Sequence, residues 1–168
     1  IPDTTHLTTL SIGPILDRVL NGRGCQAVLI GPGLGREEAS INAVCDLIEK
    51  LVEANIPLVI DADAIRALPS HAWPMGMVGV VTPHSTDMAH WLGASDPVEI
   101  LQIRARRDGI SRVVEDESCV IVRTGAEDEL WAPGGRHCFA IGGHARMSVG
   151  GTGDLLSGCT VSYTHLTL

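Results

Sequence analysis

AVLIGPGLGREEASINAVCDLIEKLVEA, residues 27–54, is the stretch on which the fold turns. Four apolar residues, Ala27-Val28-Leu29-Ile30, run straight into Gly31-Pro32-Gly33-Leu34-Gly35. From about Glu37 to Ala54, Ile41, Val44, Leu47, Ile48 and Leu51 then mark one apolar face. A short, wholly apolar run is a strand buried on both sides, and apolar residues three and four apart are the inner stripe of a helix. Strand, glycine loop and helix in that order make half of a βαβ unit, the building block of a parallel sheet covered by helices.

The same grammar continues in both directions. Upstream, Ile12, Ile15, Leu16, Val19 and Leu20 predict a helix stopped by Asn21-Gly22. Downstream, Pro57–Asp61 predicts a second buried strand, closed by Ala62-Asp63-Ala64 and a short helix through Leu68. Met77–Val81 predicts a third, followed by Thr82-Pro83-His84 and a helix carrying Met88, Trp91 and Leu92. Residues 97–107 read as helical. Cys119–Val122 predicts a fourth strand ending at Arg123-Thr124-Gly125. Glu129–Ala132 and His137–Ala140, separated by Pro133-Gly134-Gly135-Arg136, predict a hairpin, and a last helix begins near Gly151. The expected class is α/β, and in such sheets functional loops lie beyond the carboxyl ends of the strands.

Composition narrows the partners. The 168 residues, 45% of them hydrophobic, suit one domain with a real core. A formal charge of -8 with a single lysine, Lys50, argues against nucleic acid, whose binding draws on clustered cations. Phosphate charge would have to be met by backbone amides, by arginines such as Arg123 or Arg146, or by a divalent ion. No apolar run approaches the roughly 18 residues of a membrane span, and no leader sequence opens the chain, so a cytoplasmic location is expected. Cys25, Cys45, Cys119, Cys138 and Cys159 have no zinc-like spacing and are expected to be buried, reduced thiols.

Gly150-Gly151-Thr152-Gly153-Asp154 carries the clearest chemistry. Its glycines leave backbone amides accessible, and a helix starting there adds unpaired N–H groups and a positive dipole end, which together cradle an anion. A carboxylate beside a phosphate repels it unless it handles a proton. That makes Asp154 the candidate base, with helix capping as the alternative role. The glycine loop 31–35 either lets a ligand approach closely or is only a tight turn. It fails the dinucleotide fingerprint because Arg36 stands where the last glycine is needed, and the chain has no Gly-Lys-Ser/Thr phosphate loop. Asp61 and Asp63 end a buried strand, where a cation, water or hydrogen bonds must hold two near carboxylates, and Asp63 is a natural helix cap. His84 follows another strand end, and its spacing from His90 does not suit a metal pair.

Taken in order, GPGLG at Gly31, DADA at Asp61, TPH at Thr82 with Asp87-Met88-Ala89 after it, VIVRTGA at Val120 and GGTGD at Gly150 resemble one known family. It is the carbohydrate-kinase-like domain of ADP/ATP-dependent NAD(P)H-hydrate dehydratases, within the ribokinase-like superfamily. The likeness spans most of residues 27–158. It implies a three-layer α/β/α fold with a mostly parallel central sheet and a small C-terminal hairpin. It also implies dehydration of the (6S)-hydrate of NADH or NADPH driven by ADP or ATP with Mg2+, prokaryotic members using ADP and releasing AMP and phosphate. Carried over by position, Gly33, Gly35 and His84 would bind the hydrate, and Asp154 would contact its hydroxyl and take the proton. Arg123, Thr124, Gly125, Ala126, Glu127 and Gly153 would hold the nucleotide, with Gly151, Thr152 and Gly153 as the anion hole and no protein metal site. The partners implied are small molecules, with neither nucleic acid nor membrane.

The chain departs from the family pattern at Arg123-Thr124, where Lys-Gly is usual, and at Gly143-His144-Ala145-Arg146-Met147, where Gly-Asn-Pro-Gly-Met is usual. Arg146 is either an added phosphate contact or a solvated loop residue. Residues 1–161 are expected to be a partial domain and 162–168 a non-native tail. An uncovered sheet edge would favour self-association into a homo-oligomer. A small-molecule kinase of the same superfamily and an inactive nucleotide-binding fragment are the alternative readings.

Overall fold

Six strands form one sheet in the order in which the chain makes them. The computed structural model describes residues 6–22, 24–70, 72–92, 119–134, 136–141 and 149–167. Strands β1 (Val28–Ile30), β2 (Leu58–Ile60), β3 (Gly79–Val81) and β4 (Cys119–Arg123) are parallel neighbours. Strands β5 (Asp128–Ala132) and β6 (Arg136–Ala140) fold back antiparallel onto β4. The expected mostly parallel sheet with a terminal hairpin is thus observed, the hairpin being part of the sheet itself.

Helices α1 (Thr9–Leu20), α2 (Glu38–Glu53), α3 (Ser85–Trp91) and α4 (Thr152–Thr167) complete the described fold, with a 3-10 helix at Ala62–Ala67. Helix α2 lies within a residue of its expected bounds, α1 begins three residues before the first apolar position of its pattern, α4 begins one residue after Gly151 and runs on through residues 162–167, and the short helix after β2 takes the tighter 3-10 form. The helical reading of residues 97–107 lies outside the described residues, as does Arg146. Helix α2 ends in a hydrogen-bonding pattern legible at atomic level. Asn55 takes the left-handed conformation at φ 56°, its N–H donates to Val52 O, and Ile56 N–H donates to Leu51 O. This double bond satisfies carbonyls the helix would otherwise leave open, and Asn tolerates the required φ better than most residues.

Burial shows why β2 is apolar throughout. Leu58, Val59 and Ile60 are each fully buried, although consecutive residues on a strand face opposite sides. Leu58 and Ile60 join a core with Ile12, Val44, Leu47, Leu51, Ile65, Met88 and Trp91. Val59 points the other way. Helix α4 packs on β1 and β2 and none of its described side chains belongs to that core, which identifies it as cover for the opposite face.

The register matters most for function. Ile30, Ile60, Val81 and Ile121 are successive partners across the four parallel strands, so the first three strands end level. The loops leaving them must emerge side by side. One sequence expectation fails: of the five free cysteines only Cys119 is buried, Cys25 and Cys45 are half-buried, and Cys138 and Cys159 are exposed. Cys138 is exposed because it sits on the outermost strand, Cys159 because it lies on the outer side of α4. Among the described residues, no helix is long and apolar enough to cross a membrane.

Candidate active site

The turn after β1 fits against the end of β2 with no space to spare. Gly31 has φ 144°, and a Cβ there would lie 1.7 Å from the Asp61 carbonyl oxygen, so the two strand ends approach as only glycine allows. Asp61 N–H donates to Ile30 O at 3.0 Å and locks that approach. Beyond it, Gly33 at φ 74° has open space around its Cβ position.

The two strand-end carboxylates are held by hydrogen bonds, but not in the roles expected. Asp61, rather than Asp63, caps the 3-10 helix, accepting from Ala62 N–H at 2.8 Å. Asp63 instead reaches back to the glycine loop, accepting from Gly35 N–H at 3.2 Å and pairing with Arg36 Nε at 3.0 Å. The positive φ of 47° at Ala62 turns the chain so that the carboxylates part in this way.

The other oxygen of Asp61 anchors α4. Ser157, fully buried, donates its hydroxyl proton to that carboxylate, with Gly153 O at 2.9 Å as a second acceptor and the buried Thr82 hydroxyl 3.4 Å away. A neutral hydroxyl between a carboxylate and a carbonyl gives its one proton to the stronger acceptor, the charged one. Sequence reasoning missed Ser157. The available signal was a polar residue in the apolar stretch after GGTGD, three positions from Asp154 and so on the same helix face.

Ser157 therefore sets the start of α4 at the ends of β2 and β3. The first helical bond runs from Leu155 N–H to Gly151 O at 3.0 Å, so the amides of Gly153 and Asp154 precede the ladder. Cβ positions on Gly150, Gly151 and Gly153 meet nothing within 4 Å among the described residues. Asp154 is exposed one turn before Ser157, and among the described residues its carboxylate has no hydrogen bond or ion pair. This is a helix start open to an anion with an unengaged carboxylate at its rim.

A second linked group follows β3 and β4. His84 Nδ1 and the Thr124 hydroxyl are 2.7 Å apart, Thr124 N–H donates to Pro83 O at 3.0 Å, and His84 N–H donates to the Asp87 carboxylate at 3.3 Å. Gly125, Ala126 and Glu127 are exposed in the turn to β5, where Gly125 N–H donates to Asp128 at 3.0 Å. Arg123, expected to face the nucleotide, is buried. It pairs with the buried Glu129 at 2.7 Å and donates also to Glu127 O and the Ser85 hydroxyl. Pro83 and Thr82 join the two groups along the chain. Among the described residues, no three His, Cys, Asp or Glu side chains gather as metal ligands.

Comparison with known proteins identifies the family of the chain. The carbohydrate-kinase family model, described as NAD(P)H-hydrate dehydratase, matches residues 8–163. The bifunctional NAD(P)H-hydrate repair enzyme Nnr of Thermofilum pendens is 29% identical over 158 residues, covering 91% of this chain and 29% of that protein. The ATP-dependent (S)-NAD(P)H-hydrate dehydratase of Saccharomyces cerevisiae is 27% identical, over 92% of this chain and 47% of that one. Among solved structures, the ADP/ATP-dependent NAD(P)H-hydrate dehydratase of Bacillus subtilis co-crystallised with ATP/Mg2+ superposes with a TM-score of 0.66 at 26% identity. It covers 83% of this chain and 47% of that one. The chain thus spans less than half the length of each of these relatives. With the family model matching nearly its whole length, it belongs to the NAD(P)H-hydrate dehydratase family of carbohydrate-kinase type.

Proposed function

We propose that the loops at the carboxyl ends of β1–β4 and the start of α4 use an adenine nucleotide to dehydrate (6S)-NADHX or NADPHX to NADH or NADPH. The observation that carries the reading is the start of α4, with open glycine amides anchored by Ser157 and Asp154 unengaged beside them. Hydroxide is a poor leaving group, so phosphorylating the hydrate's hydroxyl makes elimination easy. Asp154 takes the hydroxyl proton as the oxygen attacks the terminal phosphorus of the nucleotide, whose bond to the bridging oxygen breaks. The amides of Gly151, Thr152 and Gly153 stabilise the charge on the moving phosphoryl group. The ring nitrogen then expels phosphate, and loss of a proton from the neighbouring ring carbon restores the dihydronicotinamide.

Gly33, Gly35 and His84 line the hydrate side, while Thr124, Gly125, Ala126 and Glu127 with Gly153 hold the nucleotide. The Bacillus subtilis relative was crystallised with ATP/Mg2+. Mg2+ commonly binds through phosphate oxygens, water and one or two carboxylates, so the donor set described here fits an ion that arrives on the nucleotide and neutralises its charge. Five free thiols support a cytoplasmic location, and the exposed Phe139 and Ile141 at strand β6 support self-association.

The test is recovery of dihydronicotinamide absorbance from each hydrate with ADP or ATP, with phosphate measured alongside. Asp154→Asn should fold normally and turn over about 100-fold or more slowly. Undiminished turnover removes Asp154 from the mechanism. Accumulation of a phosphorylated substrate without phosphate release would make the chain a small-molecule kinase instead.

A further inference from the structure

Arg123 follows the fourth strand where a nucleotide contact is expected, yet its guanidinium is turned inward. Its residue is 8% exposed, and both terminal nitrogens are already engaged. Nη2 donates to Glu129 Oε1 at 2.7 Å and to Glu127 O at 3.1 Å, while Nη1 donates to the Ser85 hydroxyl at 3.2 Å. Glu129 is itself 3% exposed and stands directly opposite Arg123 in the β4–β5 register. A phosphate has little access to this group.

What the guanidinium does touch is informative. Glu127 O closes the turn 124–127, and Ser85 opens α3 directly after His84. The turn is drawn tight over the charge, for a Cβ on Gly125 would sit 3.0 Å from Nη1. One planar fork thus spans the turn after β4, the start of α3 and the body of β5. Lysine, with a single nitrogen on a flexible stem, cannot hold three such directions at once.

We propose that Arg123 and Glu129 are positioning residues. Their buried pair holds the turn 124–127 in the shape that receives the nucleotide and ties it to the hydrate-side loop, without touching either ligand. Glu129 fixes the guanidinium, and the guanidinium fixes the Glu127 carbonyl. This rests on the dehydratase reading above, and the first readout below is independent of it.

In the nucleotide-free chain, amide hydrogen exchange at residues 124–127 should speed up about tenfold or more in Glu129→Gln and in Arg123→Lys, with exchange in β2 unchanged. In the activity assay the KM for ADP or ATP should rise about tenfold, with kcat changed less than about threefold, as for a residue that shapes a binding loop. Should Glu129→Gln fail to fold, the double variant Arg123→Met with Glu129→Met removes both charges together and leaves neither buried alone. It should keep the sheet and still loosen the turn. Unchanged exchange and unchanged nucleotide KM in these variants overturn the proposal. A loosened turn with unchanged nucleotide KM also overturns it, because the brace then serves stability alone. A wild-type chain whose 124–127 amides are protected but which binds neither ADP nor ATP overturns the dehydratase reading, and the positioning role with it.

Discussion

Gly31 and Gly33 lie two residues apart in one loop and should answer to substitution in opposite ways. At Gly31 an added Cβ falls 1.7 Å from the Asp61 carbonyl oxygen, whereas ordinary carbon–oxygen contact begins near 3.3 Å, so the strand ends would have to part by about 1.5 Å. That movement stretches the 3.0 Å bond from Asp61 N–H to Ile30 O to a length at which it is lost. With the backbone strain at φ 144°, Gly31→Ala should cost about 4 kcal/mol or more, enough to unfold much of a marginal domain. At Gly33 the Cβ meets nothing within 4 Å among the described residues, and the only cost is left-handed strain of about 1 kcal/mol. Gly33→Ala should therefore stay folded. If the hydrate approaches the backbone there, the new methyl group stands in its way, and the hydrate KM should rise about tenfold or more with the nucleotide KM unchanged. Urea titration and steady-state kinetics on both variants read the contrast. A stable Gly31→Ala would refute the close approach of β1 and β2. A Gly33→Ala enzyme with an unaltered hydrate KM would reduce the loop to a turn.

Ser157→Ala removes a hydrogen bond to a buried carboxylate and should destabilise the fold by about 2–3 kcal/mol, seen as a melting temperature lower by roughly 5–10 °C. Because it also frees the start of α4, turnover should fall at temperatures where the variant is still folded, and loss of stability without loss of rate would detach the anchor from catalysis. Burial first, and then the nearby Asp46 and Glu49 carboxylates, push the Cys45 thiol up from its ordinary 9.0. The folded chain keeps that proton where the unfolded chain releases it, so stability present below pH 9 should decline as pH rises above it. Denaturant midpoints of wild type and Cys45→Ala between pH 8 and about pH 10.5 should converge or cross if this holds, and parallel curves would exclude it.

The strands were legible as short apolar runs: Leu58–Ile60 is buried on both faces as expected, whereas Val28–Ile30 has the same composition but is fully buried only at Ile30, because it stands at the end of the strand order. Glycine and proline punctuation marked the loops, and the parallel class followed from the alternation of strands and helices. The convergence of those loops was legible only as a rule about strand ends. Its local cause, the level register from Ile30 to Ile121, is a property of pairing across the sheet and leaves no mark on any one segment. The cap expected at Asp63 falls to Asp61 for a similar reason. Both sit near a helix start in sequence, and only the positive φ at Ala62 decides which one caps and which one reaches the glycine loop.

Arg123 is the instructive case, because the sequence did contain the clue. Burial alternates along β4 at Cys119, Ile121 and Arg123, and along β5 at Glu129 and Trp131. A basic residue in phase with the buried side of one strand and an acidic one in phase with the buried side of its neighbour predict a cross-strand ion pair facing inward. Reading Arg123 by its place in a motif put it outward, toward phosphate, while reading it by strand phase puts it inward, toward Glu129. The two criteria conflict only because the residue lies at the junction of strand and loop, and there the phase of the strand prevails: turning the guanidinium outward would take from the buried Glu129 its partner at 2.7 Å. The same reasoning separates the two jobs a site needs done. On the function proposed, charge at the surface of the cleft would fall to backbone amides and Asp154, whereas the charge beneath it, at Arg123 and Glu129, is paired internally and contacts the turn 124–127 and the start of α3.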